Sequence, residues 1–298
     1  MLSIVTCNFN FERVGPLKTN IDSKIGIDEY ELIVIDNSSN ELSIFQAYNK
    51  GVKLANFQNI LFIHDDVFIH TQDFGKILLE LKLPNFGVLG IAGSKIKTKI
   101  TSPWWISNYE KVKDGINYQY NIQHFKNLEP KKINIGFDKE HQFEPVILVD
   151  GVFLYTTKEN CLNNPFDERY NSFHFYDLDF SLSQIMSGNI NYVTNAILLE
   201  HFSAGHLNKE WINSSFIFYK KWHEFKKVNS IEIDEIVYFE KLAFNSRFRI
   251  LLENKFVFKA IILFLTNIRF LSVSNSKYLL RSLLYMFGIS FLFFLQIT

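Results

Sequence analysis

The stretch from residue 31 to residue 68, ELIVIDNSSNELSIFQAYNKGVKLANFQNILFIHDDVF, carries the pattern that decides the fold. It contains two short apolar runs, at 31–36 and 60–64, separated by a segment whose apolar residues recur at roughly helical spacing. Ser38 and Glu41 have the S-x-x-E spacing of a capping box, which predicts that the helix begins near them. Strands that alternate with a helix of this length predict parallel βαβ units.

The sequence on both sides continues this alternation. Residues 100–143, which are polar and aromatic with weak periodicity, predict an insertion or an acceptor loop. The pair Asp150-Gly151 interrupts an apolar run, and a glycine within a strand predicts a bulge or a close backbone approach. Further strands are predicted at 2–7, 86–92, 145–155 and 192–200, and further helices at 177–187 and 209–227.

Polar side chains follow the first three apolar strands at the point where each strand ends. In a parallel sheet that is covered on both faces, ligands bind at the carboxyl ends of the strands. The sequence therefore predicts one binding edge, and its residues are Asn8, Asp36, Asn37, His64, Asp65 and Asp66.

The most informative strand end is His64-Asp65-Asp66. Carboxylates at the end of a buried strand are costly unless something compensates their charge. A divalent cation on a diphosphate is one such compensation, because Mg²⁺ binds one or two carboxylates together with substrate phosphates. A solvated loop after the strand is the alternative, and the two acids alone do not separate these interpretations.

Together with its neighbours, this motif resembles the first half of a family 2 glycosyltransferase with the GT-A fold. The resemblance implies a nucleoside-diphosphate sugar donor, with Asp36 at the base or ribose and with Thr6 and Asn8 assisting it. Asn37 and Asn49 belong to the same implied nucleotide-binding half. The motifs that carry the resemblance, in the family's order over residues 2–70, are Asp36-Asn37-Ser38-Ser39, Asn49-Lys50-Gly51 and LFIHDDVF.

One position of the metal-binding motif departs from the family pattern. His64 stands where the family's metal-binding Asp-x-Asp motif has its first Asp, and Asp66 stands at the second acid. Asp65 can replace the missing acid by a change of register. The resemblance implies a divalent cation, Mn²⁺ or Mg²⁺, on Asp66 and His64, and imidazole suits Mn²⁺ better than Mg²⁺.

The second half of the chain carries two more motifs. VDGVFLYTTKEN at 149–160 resembles the family's D-G strand, which puts Gly151 near the acceptor. FHFYDLDFSLSQIMSGNINYV at 173–193 resembles its E-D-x-D-L helix start, so Asp177 takes the position of the catalytic base, Tyr176 replaces the Glu, and Asp179 is the next acid. Acidic side chains near the start of a helix also interact favourably with the helix dipole, so capping is the alternative role of Asp177.

Three other residues are candidates for the site. His201 follows the last predicted strand of the domain and resembles the late histidine of GT-A enzymes that returns to the metal or the diphosphate. An ordinary polar loop is the alternative there. Trp104 and Trp105 can form a stacking platform for a sugar, although aromatic pairs more often anchor a core or a loop.

Composition limits the partners and the compartment. Lys plus Arg equal Asp plus Glu, at 31 each, so no global positive field favours nucleic acid. Cys7 and Cys161 form no CxxC pattern, which favours a reducing compartment over a disulfide framework. The N-terminus lacks the pattern of a signal peptide, so a cytoplasmic protein is expected.

The end of the chain is apolar and basic. Residues 254–298 hold five cations and no acid, and 17 uncharged residues follow Arg281, which is the short limit for a membrane span. This pattern predicts a tail that lies on, or inserts shallowly into, the inner face of a membrane, with its cations toward anionic lipid headgroups. A buried helical hairpin is the alternative.

The sequence thus predicts an α/β domain of the GT-A type at 1–228, with a mixed, mostly parallel central sheet, and a helical membrane-associating tail at 229–298. The expected reaction is metal-dependent, inverting transfer of a sugar to a hydroxyl of a glycan or lipid-linked acceptor in surface polysaccharide synthesis. A nucleotidyltransferase of similar fold and a catalytically weak glycan-binding or scaffold protein are the alternatives. The chain has no dinucleotide fingerprint, no Walker A sequence and no H-E-x-x-H.

Overall fold

Two β-sheets dominate the part of the chain that the computed structural model describes, which is residues 1–107, 115–138, 141–203, 205, 207–225 and 233–270. The strands are β1 (Leu2–Asn8), β2 (Tyr30–Asp36), β3 (Asn59–Ile63), β4 (Val67–Ile69), β5 (Phe86–Gly90), β6 (Ala92–Ser94), β7 (Asn117–Phe125), β8 (Leu128–Ile135), β9 (Phe143–Val146), β10 (Leu148–Val149), β11 (Phe153–Thr157), β12 (Ile190–Thr194) and β13 (Leu199–His201). The helices are α1 (Val14–Lys24), α2 (Ile44–Leu54), α3 (Phe74–Leu79), α4 (Lys158–Asn163), α5 (Tyr176–Met186), α6 (Lys209–Trp222), α7 (Ile233–Glu253) and α8 (Val257–Thr266).

The first sheet has the mixed, mostly parallel arrangement that the sequence predicts. Its strand order is β2-β1-β3-β11-β5-β12-β9. The pairings show that β2, β1, β3, β5 and β12 run in one direction, whereas β11 and β9 run in the other. The carboxyl ends of β1, β2 and β3 therefore meet at one edge, as the strand-end pattern predicts.

Apolar side chains cover both faces of this sheet. All seven residues of β1 are buried. Their side chains alternate between faces, so that Val5 joins the apolar cluster that includes α2 and α5, and Ile4 joins the cluster that includes α1 and α3. The sheet is thus a buried central layer, and its strand ends are the part open to a ligand.

Helix α2 begins five residues later than the sequence spacing predicts. The capping box is formed by Ser43 and Gln46, not by Ser38 and Glu41, because residues 37–42 form a tight loop in which the Asn37 side chain bonds both backbone groups of Leu42. Gly51 then allows α2 to approach the sheet closely. A Cβ at Gly51 would lie 2.3 Å from Cγ1 of Val5.

The second sheet contains a hairpin that the sequence did not reveal. Its order is β10-β6-β7-β13-β4, with β8 paired to β7. The sequence predicts an insertion or an acceptor loop at residues 100–143, but this range includes β7 and β8. The predicted strands at 86–92 and 192–200 are likewise each divided between the two sheets, since β5 and β12 lie in the first and β6 and β13 in the second.

Helices α7 and α8 are the described part of the predicted helical tail. The Glu240 carboxylate on α7 accepts hydrogen bonds from the backbone N–H groups of Lys99 and Ile100, which holds α7 against the segment before Trp104. No helix within the described ranges is both long enough and apolar enough to cross a membrane. Of the predicted membrane-associating tail at 229–298, residues 229–232 and 271–298 lie outside the residues that the structure describes.

Candidate active site and metal centre

Three side chains with metal-ligating atoms meet at the binding edge. His64 follows β3, Asp66 precedes β4, and His201 ends β13. Oδ1 of Asp66 lies 3.8 Å from Nδ1 of His64 and 3.5 Å from Nε2 of His201. One ligand atom from each residue lies within 4.8 Å of the other two, so the group has the dimensions to hold one metal ion.

The remaining ring nitrogens of the two histidines contact neighbouring polar groups. Nε2 of His64 lies 2.7 Å from the Tyr176 hydroxyl, and Nδ1 of His201 lies 3.3 Å from Oε1 of Gln123. Metal-binding histidines usually have such a partner on their second nitrogen, because it fixes the ring and its tautomer. The arrangement leaves one nitrogen of each ring facing Asp66.

The protonation states also suit metal binding. Burial lowers the pKa of His64, and the neighbouring His201 lowers it further, so the ring is neutral at neutral pH. Burial alone would raise the pKa of Asp66, but its contacts with His201, His64 and Ser203 hold that pKa at about 2. Neutral imidazoles and an ionised carboxylate are the forms that bind metal ions. Two nitrogens and one oxygen suit a borderline transition-metal ion better than Mg²⁺, which prefers an all-oxygen set.

Asp65 faces away from this group. Its Oδ1 accepts a hydrogen bond from Arg13 at 3.0 Å, and its Oδ2 accepts one from Asn8 at 2.8 Å. Asp65 is therefore engaged in holding the end of β1. Asn8 and Thr6 are fully buried, so their side chains do not face an open site in this structure.

Asp177 lies in the first turn of α5 and faces the same cleft as His64 and His201. Its two oxygens accept hydrogen bonds from the backbone N–H groups of Gly151, at 3.1 Å, and Leu178, at 2.9 Å. The pKa of Asp177 is raised to about 7, mainly by burial and to a smaller extent by the charge of Asp150. A carboxyl group with a pKa near neutrality can take up a proton during a reaction.

Asp179 has a different environment. Its carboxylate is buried and accepts hydrogen bonds from the Tyr170 hydroxyl at 3.1 Å, the Trp222 indole at 2.7 Å and the Lys221 ammonium at 2.9 Å. These contacts join α5 to α6. As expected for acids two residues apart on a helix, Asp177 and Asp179 lie on different faces.

The residue before α5 adopts an unusual backbone conformation. Phe175 has a φ of 69°, in the left-handed region that bulky side chains rarely occupy. Its ring packs against Trp211 and Phe218, with centroids 5.1 Å and 5.0 Å away. The packing of α6 thus holds a strained residue in place immediately before Tyr176 and Asp177, and strain of this kind often occurs at functional sites.

The cleft has a volume of about 570 Å³ and two contrasting walls. One wall is aromatic and includes Trp104, Trp105, Phe173 and Trp211. The other is a row of amides on β7, where Gln119 donates to Asn121 at 3.0 Å, Asn121 donates to Gln123 at 3.1 Å, and Gln123 contacts His201.

The predicted nucleotide-binding residues lie outside the lining of this cleft. Asp36 is exposed at the end of β2, and its Oδ1 accepts a hydrogen bond from the backbone of Ser38. Asn37 is buried in the loop before α2. The Asn49 amide bonds the backbone of Phe166 in both directions, so this side chain ties α2 to the segment after α4.

Sequence reasoning did not select three residues that the structure brings into the site: Asp150, Tyr176 and Gln123. The Asp150 carboxylate accepts a hydrogen bond from the Trp104 indole at 2.7 Å, which fixes the aromatic wall beside Asp177. The interruption of the strand at Asp150-Gly151 was the available signal for Asp150. Tyr176 and Gln123 act through contacts with distant residues, which a single sequence does not display.

Comparison with known proteins gives a family match. Residues 16–232 match the glycosyltransferase-like family. No curated protein matches the chain significantly. Among solved structures, A197 from STIV has 11% identity and a TM-score of 0.39, with 68% of this chain and 86% of that chain covered. GalNAc-T7, whose crystal structure contains UDP, GalNAc and Mn²⁺, has 9% identity and a TM-score of 0.47, with 87% of this chain and 57% of that chain covered.

Proposed function

We propose, because the chain belongs to the glycosyltransferase-like family, that it transfers a sugar from a nucleoside-diphosphate donor to a hydroxyl of a glycan or lipid-linked acceptor, as in surface polysaccharide synthesis. The transfer is a single displacement that inverts the anomeric carbon. The observation that carries the proposal is that Asp177, His64 and His201 line one cleft. A base for the acceptor and a group that can hold a metal on the donor's diphosphate therefore face the same volume.

Asp177 is the base in this proposal. The reaction needs a group that removes the proton of the acceptor hydroxyl as that oxygen attacks. The raised pKa of Asp177 makes it a better proton acceptor than an ordinary carboxylate. The N–H groups of Gly151 and Leu178 hold its oxygens in place.

His64, Asp66 and His201 are the proposed metal ligands. A divalent ion bound there would neutralise the charge that develops on the departing nucleoside diphosphate. Mn²⁺ fits the donor set better than Mg²⁺. Asp36 is the proposed contact for the base or ribose, and its exposed carboxylate at the end of β2 supports that role. Asn8 and Asp65 support the same edge from beneath it.

The two walls of the cleft support a glycan as the acceptor. Each amide of the β7 row carries both donor and acceptor atoms, as hydroxyl groups do. Trp104 and Trp105 on the opposite wall offer flat apolar faces of the kind that pack on a sugar ring. Asp177 lines the same cleft, so an acceptor bound there would lie near the proposed base.

The membrane-facing role of the tail is also a proposal. We divide the chain into a catalytic domain at 1–228 and a membrane-associating region at 229–298, with the protein bound peripherally at the inner face of the cytoplasmic membrane. Helix α8 supports this by exposing Phe258, Ile262 and Leu265, whose spacing puts them on one helical face. The exposed cations Lys255 and Arg269 flank that face in the sequence.

A thermal-unfolding titration tests donor and metal binding together. A ligand that binds only the folded protein raises its stability by RT ln(1 + [L]/Kd). We expect one nucleoside diphosphate, among UDP, GDP, CDP and ADP, to raise the unfolding temperature in the presence of Mn²⁺ and to do so far less without it. Asp66→Ala should lose the metal-dependent part of the shift.

Asp28→Asn, which changes an exposed carboxylate far from the site, is the control and should keep the full shift. An Asp66→Ala protein with an unchanged metal-dependent shift would remove the metal assignment. Product analysis separates the reaction classes, since a glycosyltransferase releases a nucleoside diphosphate from a nucleotide sugar and a nucleotidyltransferase releases pyrophosphate from a nucleoside triphosphate.

A further inference from the structure

Two residues that depart from the acidic pattern of the resembled family lie in direct contact. His64 replaces the first acid of the metal motif, and Tyr176 replaces the Glu at the start of α5. They are far apart in the sequence, but Nε2 of His64 lies 2.7 Å from the Tyr176 hydroxyl. The contact joins the metal centre to the helix that carries Asp177.

Gly151 provides the space for this contact. A Cβ at position 151 would lie 2.0 Å from the Tyr176 hydroxyl oxygen and 2.3 Å from the ring carbon that bears it. An alanine there would therefore force the tyrosine ring to move. The φ of Gly151 is not in the left-handed region, so close approach accounts for the glycine.

We propose that Tyr176 is a positioning residue of the metal centre, which holds His64 in the tautomer that binds a metal and so makes the centre selective for Mn²⁺ over Mg²⁺. The inference rests on the proposed metal centre at His64, Asp66 and His201. In this inference Tyr176 and Gly151 support metal binding, whereas the neighbouring Asp177 has the proposed role in proton transfer.

The chemistry of the imidazole ring explains the role of Tyr176. A neutral histidine has one protonated nitrogen and one with a lone pair. Metal binding at Nδ1, the atom that faces Asp66, requires the proton to be on Nε2. That N–H then donates to the Tyr176 hydroxyl oxygen. Without the oxygen, the N–H would lose its protein acceptor, which disfavours this tautomer.

Selectivity follows from the same tautomer. With Nδ1 of His64 and Nε2 of His201 both available, the centre offers two nitrogens and one carboxylate oxygen. Mg²⁺ prefers oxygen ligands, whereas ions such as Mn²⁺ accept imidazole. Loss of the His64 nitrogen should therefore weaken Mn²⁺ binding more than Mg²⁺ binding.

The test is a direct titration of the full-length protein with Mn²⁺, followed by the electron paramagnetic resonance signal of the free ion and repeated with Mg²⁺ as competitor. Tyr176→Phe should raise the Kd for Mn²⁺ about 10- to 100-fold, as other losses of a partner to a metal-binding histidine do. Gly151→Ala keeps the hydroxyl but displaces it, and it should shift the Kd in the same direction. Both variants should reduce the preference for Mn²⁺ over Mg²⁺.

Tyr170→Phe is the matched control. It also removes one buried hydroxyl hydrogen bond, to Asp179, but it does not touch the metal centre. It should keep the Mn²⁺ affinity of the parent protein. Urea unfolding of each variant establishes that it is folded at the temperature of the titration.

A double-variant cycle tests whether Tyr176 acts through His64. In a His64→Asp background there is no imidazole tautomer to fix, so Tyr176→Phe should change the Mn²⁺ affinity by less than threefold. An equal effect of Tyr176→Phe in both backgrounds would overturn the inference, and so would an unchanged Kd in Tyr176→Phe alone. Failure of the parent protein to bind Mn²⁺ would instead overturn the proposed metal centre, and the inference with it.

Discussion

Asp177 lines the cleft in an environment that disfavours its charged form. Burial and the charge of nearby Asp150 raise the pKa of its carboxyl group. The same carboxyl group accepts hydrogen bonds from two backbone N–H groups, which hold it in place at the cleft. A residue with only a capping role would not need the second carboxylate nearby.

We expect Asp177→Asn to bind the donor nucleotide normally and to lose transfer. An amide has nearly the same shape but does not accept the proton of the acceptor hydroxyl. General bases typically contribute about 10²- to 10⁴-fold to a rate, so kcat should fall by that factor. Transfer assays and calorimetric titration with the nucleotide measure the two properties separately.

Asp28→Asn again serves as the control, because it removes an exposed carboxylate without touching the cleft. Normal turnover by Asp177→Asn would show that another group is the base. A parallel loss of nucleotide binding would point to a structural role for Asp177.

At the scale of single residues, the sequence singled out His64, Asp66 and His201, and the structure brings their ligand atoms within 4.8 Å. Motif order made that possible, because each residue ends or precedes a recognisable strand. Asp150, Tyr176 and Gln123 escaped selection because their importance depends on which side chain lies opposite. Asp179 shows the reverse problem, since its motif position resembles that of a site residue but its carboxylate is enclosed by Tyr170, Lys221 and Trp222.

Helix α2 packs on the sheet at a distance that only a glycine permits. We expect Gly51→Ala to reduce the free energy of unfolding by about 1–3 kcal/mol, because the added methyl group would overlap Val5 in a packed core. Urea unfolding followed by circular dichroism measures the change.

Gly15→Ala is the matched control, because it lies in α1 with no atom within 4 Å of the added carbon. There the same substitution should change stability by less than about 1 kcal/mol, since the gain in helix propensity is offset by the constraint that Pro16 places on the residue before it. The prediction for Gly51 fails if both variants change stability in the same direction and by similar amounts.

Helix α8 exposes apolar side chains that the described parts of the chain do not cover. Phe258 is 75% exposed and Leu265 is 60% exposed. The double variant Phe258→Ser/Ile262→Ser should reduce binding to phosphatidylglycerol vesicles about tenfold or more, since each buried side chain of this size contributes roughly 1.5–3 kcal/mol. Co-sedimentation of the full chain with vesicles measures it.

The double variant Leu162→Ser/Met186→Ser is a suitable control, because it removes two equally exposed apolar side chains from other helices. It should bind vesicles like the parent. Binding should be weaker to phosphatidylcholine vesicles and at high salt, where the attraction between the cations and the lipid is reduced. Equal loss in the two double variants would remove α8 as the contact surface.

At the scale of elements, the sequence predicted the strands of the first sheet best. These strands are continuous apolar runs, as expected of strands buried on both faces. The β7–β8 hairpin was missed although β7 alternates amides with Tyr118, Tyr120 and Ile122, because the residues that face the cleft are the amides and β8 is mostly polar and exposed. Helix α2 was predicted, but its start was misplaced because the Asn37 loop could not be distinguished from a first helical turn.

For the molecule as a whole, the raised pKa of Asp177 implies a pH dependence of stability. The folded protein holds this proton more tightly than the unfolded chain, so the stabilising contribution is complete below about pH 4 and is lost as the pH rises towards 7. The free energy of unfolding of Asp177→Asn, relative to the parent, should therefore rise by about 2 kcal/mol between pH 5 and pH 8. That figure lies below the ceiling of about 2.7 kcal/mol that 1.4 kcal/mol per pKa unit sets for this pH window, because the side chain is partly open to the cleft.

Urea unfolding at the two pH values measures this difference. A hydrogen bond that the amide fails to make affects the variant equally at both pH values, so it drops out of the change with pH. Asp28→Asn should parallel the parent protein at both values. A relative stability of Asp177→Asn that is flat or falls between pH 5 and pH 8 would contradict the assigned direction of the pKa.

The positions of the three ligands have a consequence for how the chain folds. His64 follows a strand of the first sheet, whereas Asp66 directly precedes β4 and His201 ends β13, and both of these strands belong to the second sheet. The pairing of β4 with β13 brings Asp66 and His201 together across a long loop of chain, and an ion bound to all three residues would reinforce that closure. Closure of a long loop is costly for a flexible chain, so a bond that maintains it stabilises the folded form. The proposed ligand set would be complete only after β4 and β13 have paired. We therefore expect metal uptake to be a late event in folding, and we expect a chelator to loosen this junction in the metal-bound protein.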